Sequence, residues 1–337
     1  MSDVESMSLP RPVRATTSTL TRADHWDHLL ARIGVRRMQH RVQPGLYALG
    51  HPTEESPVCV TANYTLSFDA LRAALVGIDA HILVLDTQGV NVWCAAGEGT
   101  FGTEEILRQV EETGLQDIVR HRALILPQLG APGVAAHEVR QRSGFRVEYG
   151  PVRAVDLPQY LQTRQATPDM RRVRFTLRDR LTVAIVDVVR ALLPMLAAAV
   201  LFFFVGGPLV SAAVIAATLA GVLLFPALLP WLPTHDFGSK GLILGGIVAL
   251  PFALAVFLRN PNTAWWMRAA GALTYLLCLP PVTAYLALMF TGATTFTSRT
   301  GVRREIFRYI PVMVWLFGPG ILLTIALSLL RVFGGRA

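Results

Sequence analysis

The sequence predicts an α/β domain with an open, mainly parallel sheet, followed by an all-α domain of five transmembrane helices. Three observations indicate this division. Hydrophobic residues make up 52% of the 337 residues and charged residues only 16%, which is too little charge for the surface of one soluble globule. After residue 190 the sequence contains only two acidic residues, Asp236 and Glu305. Short apolar runs alternate with helical patterns before that point, whereas long apolar stretches dominate after it.

Four short apolar runs in the first half have the length and composition of β-strands, and helical patterns separate them. We expect Ser67 to cap the first of these helices. The second carries Glu104 and Glu105 in its first turn, where the helix dipole favours carboxylates. This alternation is typical of a parallel sheet with helices on both faces. The predicted strands are 58–61, 82–86, 124–126 and 145–149, and the predicted helices are 66–75, 103–113 and 135–143.

Ligands of open parallel sheets bind beyond the carboxyl ends of the strands, and the turns predicted there are 63–65, 89–102 and 127–133. The middle turn contains four glycines together with Trp93 and Cys94. Glycine permits the backbone to approach a large ligand closely. From the residues alone, Cys94 has three interpretations: a buried structural thiol, a catalytic nucleophile, or a ligand to a metal or cofactor.

The cysteine and arginine patterns exclude several classes of protein. Cys59, Cys94 and Cys278 form no Cys-x-x-Cys pair and no zinc-ligand spacing. Their odd number argues against a disulfide framework and agrees with a reducing compartment. The net charge of +8 does not predict nucleic-acid binding, because the arginines cluster beside apolar spans, where they are the usual orientation signal of a membrane protein.

The chain divides into four predicted regions. We expect a flexible polar arm over 1–24 without a signal peptide, an α/β domain over 25–165, a basic linker over 166–182 and a transmembrane domain over 183–337. An apolar helix needs about 20 residues to cross a hydrocarbon core of ~30 Å. Few ionisable residues lie inside these spans, which favours an anchor or docking platform over a transporter. The predicted spans are 183–205, 208–230, 240–258, 269–290 and 309–331.

The arginines also predict the orientation. They cluster before the first span and between the fourth and fifth, and five spans place both clusters on the same side of the membrane. The side richer in arginine is normally cytoplasmic. We therefore predict a multi-pass protein of the cytoplasmic (inner) membrane, with its N-terminal domain in the cytoplasm. The arginines are Arg171, Arg172, Arg174, Arg178, Arg180, Arg299, Arg303, Arg304 and Arg308.

Residues 91–97, Asn-Val-Trp-Cys-Ala-Ala-Gly, resemble the cap-helix motif of mercury-methylating corrinoid proteins. The corrinoid domain of that family is similar to the large subunit of the corrinoid iron–sulfur protein of acetyl-CoA synthesis. The resemblance to this wider family extends to residues 60–69, 99–103 and 126–133, and the loop 290–302 resembles the membrane domain of the mercury-methylating branch. One position departs from the motif, because Glu98 stands where the family usually has lysine.

The resemblance implies a Rossmann-like corrinoid-binding domain and a cobalamin-type cofactor, with methylcobalamin as the methyl-carrying form. Cys94 would be the catalytic residue and the lower axial ligand of cobalt. A thiolate there would favour release of methyl with carbanion character to a soft acceptor such as Hg(II). The residues implied to bind the cofactor are Thr61, Asn63, Thr65, Ser67, Asn91, Val92, Trp93, Cys94, Ala95, Ala96, Gly97, Leu126, Gln128, Gly130, Ala131 and Gly133.

The function implied by the resemblance is a membrane-anchored, corrinoid-dependent methyltransferase that converts Hg(II) to methylmercury. The implied partners are a small ferredoxin-like protein with 4Fe–4S clusters as reductant, a methyl-folate methyltransferase as methyl source, and membrane lipid. Two alternatives stay open. One is a related corrinoid methyl carrier with another acceptor, and the other is a membrane sensor or transporter whose α/β domain binds a ligand without chemistry.

Overall fold

The computed structural model describes residues 12–36, 39–259, 261–294 and 299–334. The chain divides between Val173 and Arg174 into two compact units, which we call the α/β unit and the helical unit. This boundary falls inside the predicted basic linker.

Among the described residues of the α/β unit, six strands form one sheet in the order β1-β2-β4-β3-β5-β6. The neighbouring strands β4, β3, β5 and β6 are parallel, whereas β2 runs antiparallel to β4 and β1 runs parallel to β2. The open, mainly parallel sheet is therefore confirmed. The strands are β1 Arg14–Thr16, β2 Gly45–Leu49, β3 Val58–Ala62, β4 Ala80–Leu85, β5 Ala123–Leu126 and β6 Arg146–Tyr149.

Helices cover both faces of this sheet. All six residues of β4 are buried. Leu83 and Leu85 belong to the apolar cluster on one face, whereas Ile82 and Val84 belong to the cluster on the other. A strand buried on both faces is typical of the centre of an α/β sheet. The helices are α1 Arg22–Ile33, α2 Thr65–Ala74, α3 Val92–Glu98, α4 Thr103–Thr113, α5 Leu115–Ile118, α6 Ala136–Ser143, α7 Leu157–Thr163 and α8 Pro168–Arg171.

The structure corrects the predicted start of the chain. Residues 14–24 are not a flexible arm, because β1 pairs with β2 and α1 begins at Arg22. Thr21 and Asp24 form a capping box at that helix start, which satisfies backbone N–H groups that a helix otherwise leaves free. Residues 1–11 of the predicted arm lie outside the described residues.

The cap predicted for α2 is also wrong. This helix begins at Thr65, and the capping residue Tyr64 makes no side-chain hydrogen bond to it. Ser67 lies inside the first turn, where its backbone N–H donates to the Tyr64 carbonyl. The strand β2 was missed as well, because its sequence carries no alternation that separates it from a loop.

In the described part of the helical unit, five helices are long and apolar enough to cross a membrane, over 177–206, 208–228, 237–259, 265–292 and 300–330. This confirms the predicted number. The helices are α9 Leu177–Gly206, α10 Pro208–Leu219, α11 Phe225–Leu228, α12 Phe237–Arg259, α13 Trp265–Met289 and α14 Arg299–Gly334. A π-helical turn, Ala220–Leu224, joins α10 to α11. Residues 295–298 of the loop that resembles the family's membrane domain lie outside the described residues.

Small residues let α12 and α13 pack closely. A Cβ atom on Gly241 would lie 2.5 Å from Cα of Ala284, and one on Gly245 would lie 2.6 Å from Cα of Pro280. Such close approach of helix backbones is the common way in which membrane helices associate. Glu305 of α14 also fixes the start of α12, because its carboxylate accepts hydrogen bonds from the first backbone N–H groups of that helix.

Candidate functional site

The carboxyl ends of β3, β4 and β5 meet at one edge of the sheet, next to a cavity of about 280 Å³. The position agrees with the general rule that open α/β sheets bind ligands beyond the carboxyl ends of their strands. Residues from each of the three predicted turns, or from the strand ends beside them, line the cavity. Those assigned to the cofactor by the resemblance are Thr61, Ser67, Asn91, Val92, Trp93 and Leu126.

The predicted turn over 89–102 contains a seven-residue helix, α3, that carries Cys94. The side chain of Asn91 caps this helix by accepting a hydrogen bond of 3.0 Å from the backbone N–H of Cys94. Gly99 ends the helix in a left-handed conformation with φ of 91°, which glycine adopts without steric cost. Cys94 therefore lies in the first turn of a helix whose two ends are both fixed, directly after three residues that line the cavity.

The three thiols differ in their surroundings. Cys94 is free and partly exposed. Cys59 is buried inside β3, and burial raises the pKa of its thiol to about 12, so it stays protonated and behaves as a small apolar side chain. Cys278 lies within the apolar helix α13. Cys59 lines the cavity but is buried, whereas Cys94 does not line it and follows the lining residues 91–93 as a partly exposed thiol.

Asn63 holds the loop that leads into α3. Its side-chain oxygen accepts hydrogen bonds from the backbone N–H groups of Thr87 and Gly89 and from the Thr87 hydroxyl, at 2.9–3.1 Å. Its side-chain nitrogen donates to Asp86 at 3.0 Å. Asn63 is only 1% exposed. The resemblance assigns Asn63 to the cofactor, whereas its geometry makes it a positioning residue beneath the site.

Two carboxylates also fix this loop. Glu105 accepts a hydrogen bond of 2.7 Å from the backbone N–H of Asp86 and is itself held by the side chains of Arg108 and Gln109. The Asp86 carboxylate accepts from Asn63 and from the backbone N–H of Gln88. The loop between β4 and α3 is thus tied to both β3 and α4, so the position of α3 is set by the sheet.

Four predicted cofactor residues pack α3 against the segment 128–133 instead of facing the cavity. Ala95 and Ala96 are 0% and 5% exposed. A Cβ atom on Gly130 would lie 2.5 Å from the Phe101 ring, and one on Gly133 would lie 2.2 Å from the Phe101 carbonyl oxygen. Because no side chain fits at either glycine, these positions let the two segments approach.

The remaining predicted positions lie nearer the surface. Gly97 is exposed, and nothing lies within 4 Å of the position that a Cβ atom would take. Thr65 and Ala131 are partly exposed. Gln128 is partly exposed, and its side-chain oxygen accepts a hydrogen bond of 2.7 Å from the guanidinium of Arg171. Cofactor contacts at these positions stay predictions.

The segment that follows β6 also belongs to the site, although it lies outside the three predicted turns. Residues Pro151, Val152 and Arg153 line the cavity. Their signal was available, because a proline directly after the last apolar run marks another turn at the carboxyl edge of the sheet. The spacing Gly97-x-Gly99-x-x-Gly102 also matches a dinucleotide-binding pattern, but in that pattern the glycines follow a strand, and here they follow α3.

Comparison with known proteins agrees with this architecture. Residues 35–161 match the family model described as the CO dehydrogenase/acetyl-CoA synthase delta subunit. The gamma subunit of the acetyl-CoA decarbonylase/synthase complex of Methanopyrus kandleri is 36% identical over 128 residues, which are 37% of this chain and 27% of that protein. The same subunit of Methanothermobacter thermautotrophicus is 35% identical over 127 residues, with the same two shares of 37% and 27%.

The corrinoid/iron-sulfur protein large subunit of Moorella thermoacetica is 27% identical over 155 residues, which are 43% of this chain and 34% of that protein. The chain thus spans about a quarter to a third of the length of these relatives. The predicted relationship to corrinoid proteins is confirmed, and the matched family model covers most of the α/β unit.

Proposed function

We propose that this chain is a membrane-anchored, corrinoid-dependent methyltransferase that passes a cobalt-bound methyl group to Hg(II). The observation that supports it most directly is the position of Cys94, a partly exposed thiol on a helix fixed at the carboxyl edge of a sheet related to corrinoid proteins. The five apolar helices support the membrane anchor.

The donor set and the open space at the site fit a corrinoid. The cavity next to α3, at about 280 Å³, is too small for a whole corrinoid, but its mainly apolar lining with the hydroxyls of Thr61 and Ser67 suits one part of the cofactor, such as its polar tail. Gly97 lies one turn after Cys94 and leaves the space beside it open, so a flat macrocycle is able to approach the helix there. A thiolate is a soft, strongly donating ligand for a transition metal.

When bound, the corrinoid would supply a cobalt–carbon bond whose methyl group leaves with both bonding electrons and joins Hg(II) as methylmercury. The chain's own part is ligation and access. Cys94 would be the protein ligand of the cobalt, and charge donated by its thiolate would favour a methyl group with carbanion character. Asn91 fixes the backbone of Cys94, and Asn63 fixes the loop before it.

The same proposal names the partners and the location. A methyl-folate methyltransferase would supply the methyl group, and a small ferredoxin-like protein with 4Fe–4S clusters would supply electrons to restore the reduced cobalt. The helical unit would cross the cytoplasmic membrane with the α/β unit in the cytoplasm, because arginines are concentrated at that end of the spans. Arg304 and Arg308 there lie near Asp236.

Glu98 favours the alternative in which the cofactor's methyl group goes to a different acceptor. It is exposed at the last residue of α3, one turn after Cys94, where the mercury-methylating family usually has lysine. A negative charge beside the proposed cobalt ligand changes the electrostatic potential at the cofactor from that of the usual lysine. The alternative function is therefore methyl transfer from the same cofactor to a different acceptor.

A single-turnover assay tests the proposal. Full-length protein in detergent is loaded with methylcobalamin, freed of unbound cofactor, and mixed with Hg(II). We expect the visible spectrum to change as methyl leaves and methylmercury to form in an amount that matches the bound cofactor. Cofactor binding without methylmercury formation would support the alternative acceptor. Failure to bind any corrinoid would contradict both functions and favour a sensor or transporter.

The Cys59→Ala variant is the matched control for Cys94→Ala in this assay. Cys59 is a thiol of the same α/β unit that lines the cavity, but it is buried in β3 and stays protonated. We expect Cys59→Ala to bind cofactor and transfer methyl like the wild type. Equal activity in Cys94→Ala would return Cys94 to a structural role.

A further inference from the structure

Arg180 is a buried guanidinium near the start of α9. The residue is 4% exposed, and its backbone N–H donates to the Thr176 carbonyl in the first turn. Its Nε atom is buried and has no hydrogen-bond partner among the described residues. Its guanidinium carbon lies 5.8 Å from the centroid of the Trp231 ring.

Three acidic groups near this end of the helical unit are occupied elsewhere. Asp179 accepts the backbone N–H and the hydroxyl of Thr176. Asp236 accepts a hydrogen bond of 2.9 Å from the Tyr309 hydroxyl and pairs with Arg308. Glu305 accepts backbone N–H groups of α12. Within the described ranges, no carboxylate lies at ion-pair distance from Arg180.

A buried guanidinium without an anion is unfavourable. Arginine does not lose its proton in proteins, so it cannot escape the cost of burial by becoming neutral. A buried charge is stabilised only when a counter-charge and good hydrogen bonds accompany it. The stacking contact with Trp231 offsets part of this cost but leaves the buried Nε–H donor without an acceptor. An anion from outside the chain satisfies this requirement.

A second cation contacts the segment that carries Trp231. Lys240, in the first turn of α12, donates a hydrogen bond of 2.9 Å to the carbonyl of Leu229. Trp231, which Arg180 contacts, lies two residues after Leu229. Trp231 is 69% exposed and follows the apolar stretch 208–228. An exposed tryptophan at the end of a membrane-spanning stretch is typical of the lipid headgroup layer.

We infer that Arg180, with Trp231, binds the phosphate of an anionic membrane phospholipid. The fork of N–H donors on a guanidinium matches the oxygen atoms of a phosphate. A lipid is the source because the exposed Trp231 ring, beside five apolar helices, puts the site at the depth of the headgroups. This inference requires only that the helical unit lies in a membrane and does not depend on the corrinoid chemistry.

The test uses the full chain purified in detergent, titrated with short-chain phosphatidylglycerol, phosphatidylcholine or inorganic phosphate. Lipid retention is measured by native mass spectrometry and by the shift in thermal unfolding temperature. We expect phosphatidylglycerol to bind best, and Arg180→Gln to weaken its apparent affinity roughly fivefold to tenfold, the effect of one arginine on an anionic lipid surface. Arg178→Gln, an exposed neighbour on the same helix, should bind like the wild type.

Three outcomes would overturn the inference. The first is equal phosphatidylglycerol binding by wild type and Arg180→Gln. The second is an equal loss of binding in Arg178→Gln, which would indicate a diffuse charge effect. The third is an effect of inorganic phosphate as large as that of the lipid, which would make the ligand a free phosphate.

A second variant keeps the test decisive if Arg180→Gln does not fold. Trp231 is exposed, so Trp231→Ala should leave the helical unit folded. We expect it to weaken phosphatidylglycerol binding at least twofold, because the ring no longer covers the guanidinium. Unchanged binding in a folded Trp231→Ala variant would contradict the assigned site.

Discussion

The side-chain oxygen of Asn91 accepts a hydrogen bond of 3.0 Å from the backbone N–H of Cys94. The residue that starts α3 therefore also fixes the residue that carries its thiol. Asn91 also lines the cavity. The same residue therefore caps α3, holds the backbone of Cys94 and borders the cavity. Changes at this pair should affect the cofactor more than the fold.

Asn91→Ala should destabilise the α/β unit by about 1 kcal/mol, the usual effect of losing a helix cap, and should lower the rate of methyl transfer. Asn91→Asp retains an oxygen that caps a helix equally well, so it should restore most of the stability and the rate. The measurements are calorimetric unfolding of the full chain in detergent and single-turnover methyl transfer. A normal rate in Asn91→Ala would mean that the cap does not position Cys94.

Cys94→Ala should abolish methyl transfer, whereas cofactor should still bind through the cavity residues. The reason is that the variant removes the proposed cobalt ligand and leaves the cavity lining unchanged. Visible spectroscopy after loading with cobalamin should show a changed spectrum for bound cofactor. Cys278→Ala, in the helical unit, should leave that spectrum unchanged, and an equal change there would contradict the assignment.

Gly133→Ala should destabilise the α/β unit by about 1–3 kcal/mol, as overpacking of a tight core does. Its new Cβ atom would lie 2.2 Å from the Phe101 carbonyl oxygen and force α3 and the segment 128–133 apart. Gly97→Ala is the matched control on α3, because it meets no atom within 4 Å. It should be neutral or stabilise the helix by up to about 1 kcal/mol.

Gly97→Ala also tests where the cofactor lies. If a corrin approaches α3 at the open space beside Gly97, the added methyl group should weaken cofactor binding without lowering the unfolding temperature. The measurement is cobalamin affinity by visible titration. Unchanged affinity would show that the macrocycle does not lie beside this turn of the helix.

Glu98→Lys should leave cobalamin affinity and Hg(II) methylation within twofold of the wild type. Glu98 is exposed, so solvent screens its charge. Both quantities are to be measured at two salt concentrations. A gain in methylation that fades with added salt would show instead that the charge acts on the reaction.

Protonated His40 should stabilise the α/β unit, so the contribution of His40 to the free energy of unfolding should fall as pH rises. Burial opposes its positive charge, but hydrogen bonds to the Val35 carbonyl and to Asp27 outweigh burial and raise its pKa above the ordinary value of 6.5. The stabilisation is therefore complete below about pH 6.5 and is lost as pH rises through the higher pKa of the folded state. The His40 carbonyl accepts a hydrogen bond from the backbone N–H of Thr65 at the start of α2. The loss of stability therefore extends to the start of that helix.

The unfolding temperature of wild type and His40→Gln, measured between pH 6 and 9, tests this. The difference between the two proteins should be largest at the acid end and shrink towards alkaline pH. A difference that stays constant across this range would mean that protonation of His40 does not contribute.

The sequence by itself determined the division of the chain, the mainly parallel sheet and the five apolar helices. These features follow from hydrophobic periodicity and span length, which are local properties of the chain. It also singled out the segment with Cys94, because the motif at 91–97 is contiguous. The cavity residues Thr61, Ser67 and Leu126 were assigned through the same resemblance, which also rests on contiguous segments.

Only the tertiary structure decided what the individual residues of that site do. Asn63, Gly130 and Gly133 stay predicted cofactor contacts, and the structure adds long-range hydrogen bonds at Asn63 and close packing of the two glycines against Phe101. Arg180 looked like one more arginine of an orientation signal, until its burial without an anion set it apart. Burial and partner geometry depend on residues far apart in the chain, and a local pattern carries no information about them.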